Sequence, residues 1–137
     1  MDINDVKHPK HYTNHPSRIE VINVTRLLPG DLSNMFKYCV RFRDKNKPYE
    51  DLEKAITYTE DQIDHIGMLC TESAMMSNAI PLIEKFMLYE ESLYLRNVFF
   101  DLLKLIELKP FDYFFGKDLL LDIKKNIKSE QEKYISS

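Results

Sequence analysis

Glycine is scarce in this 137-residue sequence: there are three, standing apart at Gly30, Gly67 and Gly116. None of them opens a G-x-x-x-x-G-K-[ST] loop, so a Walker-type phosphate cradle is excluded, and so is a β protein rich in hairpins. Cysteine is nearly as rare. Cys39 and Cys70 have no CxxC partner and lie in apolar, helical-looking surroundings, which predicts buried reduced thiols rather than a disulfide or a metal site. No G-x-S-x-G elbow occurs and neither cysteine has a histidine at a signature spacing, so hydrolase triads are set aside. No apolar run approaches the roughly 20 residues that span a bilayer. Met1 to Val6 carries two aspartates and no apolar h-region, so it does not read as a secretory signal, and a cytoplasmic protein is expected.

What the chain does contain is enough for one core: 44% of its residues are hydrophobic and 30% charged, which predicts a single domain over residues 1–137. The net charge of -3 hides an asymmetry, because residues 1–48 hold nine Lys/Arg against five Asp/Glu while residues 49–137 hold ten against seventeen. A basic front of that size suits a pocket for a few phosphates and lacks the broad positive face that general duplex DNA binding requires.

Periodicity is helical throughout, and the expected fold class is all-α: a small helical bundle with an ordered N-terminal arm and a long fourth helix. The arm, Met1 to Pro16, holds three of the four histidines. Ser17 and Glu20 form a capping-box pattern that predicts a first helix ending at Leu28-Pro29-Gly30. Asp31 is placed to cap a second helix to about Arg43, whose apolar face is Leu32, Met35, Phe36, Cys39 and Val40. A third helix runs from about Tyr49 to Met68 on a stripe of Leu52, Ala55, Ile56, Thr59, Ile63 and Ile66. Leu69 to Asn78 is a connector. Asn78 and Pro81 start a fourth helix reaching about Leu108. It has two apolar faces, which calls for a second partner and predicts a homo-oligomer assembled through residues 69–137. An aromatic turn, Phe111 to Gly116, precedes a last helix from Lys117 to about Tyr134.

The chemistry-bearing pattern is polar. Asn34, Lys37, Tyr38 and Arg41 stand at i, i+3, i+4 and i+7 on the second helix, and Asp51, Lys54 and Tyr58 repeat that spacing on the third. Either stripe alone reads as a solvated face. If the two helices pack antiparallel, however, the stripes flank one cleft, with His8, Lys10, His11 and Tyr12 of the arm closing it. Lysine and arginine match phosphate oxygens, asparagine offers donor and acceptor to a base edge, and tyrosine or histidine stacks on a base. Taken alone, Glu20 is a helix-start carboxylate and His65 a surface or core-edge histidine. The spacing of His8, His11 and His15, with Lys10 between the first two, favours hydrogen bonds that anchor the arm over a metal site.

His8-Pro9-Lys10-His11-Tyr12, then Ile19-Glu20-Val21-Ile22, then Asn34 with Lys37-Tyr38 and Arg41, then Asp51-Leu52, Lys54-Ala55 and Tyr58 occur here in an order that resembles the small phage proteins of the SaV-like family. The resemblance covers residues 7–63. It differs at Ser33, where family members usually carry glycine, and at Asn46-Lys47, where a Lys-Gly turn is common. The resemblance implies a nucleotide kinase-like phage protein acting on, or binding, deoxynucleoside phosphates. In the kinase reading Lys37, Arg41 and Lys10 hold the phosphates, Glu20 or Asp51 orients the accepting phosphate or a magnesium ion, and ATP is the donor. The alternatives are a non-catalytic protein that sequesters a nucleotide and an oligomeric phage adaptor.

Overall fold

The computed structural model describes residues 15–44, 46–69, 74–108 and 111–135, and among these it is all-α. Six α-helices follow one another: α1 (Ile22–Thr25), α2 (Gly30–Arg41), α3 (Pro48–Asp64), α4 (Ala74–Tyr89), α5 (Leu93–Glu107) and α6 (Tyr113–Gln131). Short 3-10 turns, Phe42–Asp44, Ile66–Met68 and Glu132–Tyr134, follow α2, α3 and α6. The helices close a ring in which α2 packs on α3, α3 on α6, α6 on α5 and α5 on α4, with α1 bridging α4 and α2. One core fills it, centred on Phe36, Phe86 and Phe99, whose rings meet tilted or edge to face at 5.1–6.3 Å.

The inner faces of α2 and α3 are those the 3.6-residue period selects. Leu32, Met35, Phe36, Cys39 and Val40 are buried on α2, and Leu52, Ala55, Ile56 and Thr59 on α3. Pro48 opens α3 at a position where its missing N–H costs nothing, and Glu50 and Asp51 complement the positive end of the helix dipole. Cys39 is fully buried, and burial pushes its thiol far above the usual range. Cys70 lies outside the described residues.

Several expectations are corrected. The helix expected over residues 78–108 is two helices, α4 and α5, separated by Glu90, Glu91 and Ser92. The break has a polar cause: Ser92 Oγ accepts the Leu95 N–H as the N-cap of α5, while the buried Glu90 carboxylate accepts the Ser92 N–H. Folding the two halves onto one core buries Ile83 and Phe86 together with Val98, Leu102 and Leu105, so the second partner inferred for a continuous helix is largely the chain itself. Pro81, placed near a helix start, lies inside α4 because that helix already begins at Ala74.

The first helix is also shorter than expected, a single turn. Ser17 does not cap it; its hydroxyl pairs with His15 Nδ1 at 2.9 Å and accepts the Ile19 N–H, and a turn closes from the Arg18 N–H to the His15 carbonyl at 2.8 Å with Arg18 at φ 65°. Asp31 does not cap α2, where Pro29 holds the N-cap position without a side-chain bond. Finally, α6 begins at Tyr113, because Asp112 accepts the Phe115 N–H at 3.0 Å and draws the expected aromatic turn into the helix.

Candidate functional site

Because α2 and α3 run antiparallel, residues spaced by one and two turns on each helix come face to face. The Tyr38 and Tyr58 rings lie parallel, 6.0 Å between centroids with planes 7° apart. Three cations surround Tyr38: Lys37 Nζ at 4.9 Å from the ring centre, Lys54 Nζ at 5.4 Å and the Arg41 guanidinium carbon at 5.6 Å. Such cation–π placement holds positive charge over an aromatic face while leaving the N–H donors available to an anion.

Among the described residues, two buried polar atoms in this group lack partners. Arg41 Nε and Asp51 Oδ2 have no hydrogen bond, although Asp51 Oδ1 lies 4.0 Å from Lys54 Nζ. A buried orphan of this kind costs about 1–3 kcal/mol, and the two are complementary in what they need, an acceptor for Arg41 and a donor for Asp51.

The expected residues therefore divide. The structure brings Lys37, Tyr38, Arg41, Lys54 and Tyr58 together around one ring, with Asp51 joined through Lys54. Asn34 lies half-buried one turn before Tyr38 on α2. Glu20 is half-buried just ahead of α1 and is not among the groups gathered on Tyr38. His8, Lys10, His11 and Tyr12 lie outside the described residues. Ser33, the departure from glycine, donates from its hydroxyl to the Thr25 carbonyl at 2.9 Å and so ties α2 to α1.

The same two stripes continue further than the sequence reading took them. Beyond Asn34 the α2 stripe reaches Asp31, and beyond Tyr58 the α3 stripe reaches Asp61 and His65. These three, with Gln62, Met68 and Leu69, line a cleft of about 440 Å³. Partial burial, followed by hydrogen bonding to Asp61, raises the pKa of Asp31 above the usual carboxylate range. His65 Nδ1–H donates to the Asp61 carbonyl at 2.9 Å, and that bond together with the Asp61 charge raises the imidazole pKa. The seam is thus cationic at one end, aromatic in the middle and acidic at the other. Its acidic end was legible as the same i, i+3, i+7 spacing. Locally, however, Asp31 reads as a helix cap and His65 as a residue beyond the cluster, so spacing alone does not single them out.

A second polar group anchors the point where the arm enters. His15 is buried, its ring tilted on Phe86 at 4.5 Å, and Nδ1 accepts the Ser17 N–H at 3.0 Å. That leaves Nε2–H to donate to Glu90 at 3.4 Å, while Arg43 grips both Glu90 oxygens. This is the anchoring role expected of the arm histidines, realised by His15.

A family model described as a protein of unknown function (DUF3310) matches residues 6–60, less than half of the chain. No curated protein and no solved structure matches.

Proposed function

We propose that the α2/α3 seam binds a nucleotide, as a phage-type, nucleotide kinase-like protein acting on or holding deoxynucleoside phosphates in a cytoplasm. The observation that carries this reading is the gathering of Lys37, Arg41 and Lys54 around the stacked Tyr38–Tyr58 pair, with the Arg41 Nε and Asp51 Oδ2 atoms buried and unpaired beside it. A phosphate supplies the acceptor that Arg41 lacks, and a sugar hydroxyl the donor that Asp51 lacks. The order of motifs that resembles the SaV-like proteins supports the same ligand class.

Two versions share this pocket. In the enzyme, ATP with magnesium delivers a phosphoryl group to a nucleoside monophosphate while Lys37 and Arg41 stabilise charge and Glu20 or Asp51 orients the acceptor. In the sequestering protein the pocket holds the nucleotide without chemistry. Incubation with ATP and each deoxynucleoside monophosphate separates them, since a diphosphate product marks the enzyme and tight binding without turnover the module. In calorimetry, Arg41→Ala and Lys37→Ala are each expected to weaken nucleotide binding about tenfold or more, the loss of one charge-assisted contact, with the helical circular dichroism unchanged. Undiminished binding in both variants removes the seam as the site.

A homo-oligomer is the second part of the proposal, supported by an uncovered apolar stripe on the outer face of α5 and α6 at Leu93, Phe100, Phe114 and Leu121.

A further inference from the structure

The packing of α5 on α6 brings a second set of polar side chains together, on a different helix pair from the α2/α3 seam. Asn97 Nδ2 reaches Asn126 Oδ1 across the two helices at 3.4 Å. Because these helices run antiparallel, one turn forward on α5 and one turn back on α6 lead to Asp101 and Asp122, which interact as the next rung. Asp101 is 4% exposed. Lys104 Nζ approaches its Oδ1 at 3.4 Å and also lies 4.5 Å from the Phe100 ring centre, while Oδ2 is buried and, among the described residues, has no hydrogen-bond donor. Asp122 is at the surface, its Oδ2 accepting from Asn126 Nδ2 at 3.3 Å.

A buried carboxylate oxygen without a donor is destabilising, and a second carboxylate opposite it adds repulsion. Lys104 offsets one of the two negative charges and leaves the orphan oxygen as it was. What the rung still lacks is a positive charge that oxygens from both helices can share. Among the described residues no three His, Cys, Asp or Glu side chains converge, so the thiolate and imidazole cages that hold zinc have no counterpart here. Carboxylate oxygens are hard donors, and one or two of them are the usual protein share of a magnesium-type site, in which waters complete the octahedron. We propose that Asp101 Oδ2 and the Asp122 carboxylate bind one hydrated divalent cation, Mg²⁺ or its analogue Mn²⁺, across the α5/α6 groove. The ion joins the two helices one turn along from the Asn97–Asn126 bond. The proposal is independent of the nucleotide reading, since it uses neither α2 nor α3.

The test is a thermal melt of the full chain at pH 8 without nucleotide, after dialysis against EDTA, with MgCl2 or MnCl2 set against NaCl of equal ionic strength. At about 10 mM divalent ion the melting temperature should rise by about 3–5 °C over the NaCl control. Electron paramagnetic resonance of Mn²⁺ should count one bound ion per chain, with a dissociation constant on the order of 1 mM or below. Asp122→Asn changes a surface side chain, which circular dichroism checks, and should weaken Mn²⁺ binding about tenfold or more and abolish the rise. Asp101→Asn should do the same. Lys104→Gln removes the competing charge and should bind Mn²⁺ a few-fold more tightly. A rise no larger than NaCl gives, Mn²⁺ held as tightly by Asp122→Asn as by the parent, or weaker binding in Lys104→Gln overturns the proposal and leaves the two carboxyls to share a proton.

Discussion

Two buried carboxylates show how differently this fold treats the same group. Burial alone would raise the Glu90 pKa, but hydrogen bonds from His15, Arg43 and the Ser92 N–H override it and hold the group at about 2. Asp101, on α5, has Lys104 at 3.4 Å on one oxygen, and among the described residues its buried Oδ2 has no hydrogen-bond donor. Burial first, then the hydrogen bond and repulsion from Asp122, push Asp101 up to about 7 from an ordinary 3.8. A carboxyl raised in the folded state favours folding fully below its unfolded pKa, and that contribution is lost as pH climbs through the folded value. Stability should therefore fall between about pH 4 and pH 7 on account of this residue. Asp101→Asn, which mimics the protonated acid, is expected to be about 1–2 kcal/mol more stable than the parent in urea melts at pH 8, with the gap closing by pH 5. A parent and variant separated by the same amount at both pH values would show that Asp101 does not titrate in this range.

At the scale of elements, the start of α6 depends on one small residue. A Cβ built on Gly116 would sit 2.7 Å from Phe111 Cζ and 3.1 Å from its Cε2, so the ring lies where any larger side chain would stand. Gly116→Ala gains helix propensity of about 1 kcal/mol and must displace a half-buried ring that itself packs edge to face on Tyr113 at 5.2 Å. The variant is expected to lose about 1–2 kcal/mol in chemical denaturation; a stabilised variant would mean that Phe111 moves at no cost. This contact also shows which parts of the fold were legible in the sequence. The inner faces of α2 and α3 follow from periodicity alone, because an apolar stripe has one place to go, and the Tyr38, Arg41, Lys54 and Tyr58 grouping follows once those helices pair. Boundaries set by long-range polar contacts do not. The α4/α5 break turns on Glu90 meeting residues 43 and 15, the one-turn α1 on Ser17 serving His15 instead of a helix end, and the start of α6 on Asp112 as cap. Local pattern carries no record of partners dozens of residues away. The acidic end of the seam was legible in spacing and hidden by assigning Asp31 a local task.

For the molecule as a whole, the ring of helices encloses the core and leaves apolar side chains exposed on its outside. The outer surface of α5 and α6 leaves Leu93 at 70%, Phe100 at 50%, Phe114 at 87% and Leu121 at 44% exposure, together on the order of 500 Å² against the roughly 800 Å² per partner of a stable interface. Charges of both signs flank this surface, Arg96 and Lys104 on α5 and Asp118, Asp122 and Lys125 on α6. The two helices run antiparallel, with Asn97 bonded to Asn126 at 3.4 Å. A two-fold axis lying in the interface plane and parallel to the helices sets α5 of one copy against α6 of the other, so that the apolar side chains meet in the middle. The proposed assembly is therefore a dimer of 16.3 kDa chains, and light scattering on a sizing column should return twice that mass at micromolar concentration. Phe114→Asp adds a charge to the most exposed of the four side chains without touching the core, and should yield the monomer with its melting temperature near the parent's. A parent that elutes as a monomer across that range would show the stripe to be a plain solvent face. A variant that still dimerises would move the interface elsewhere on the ring.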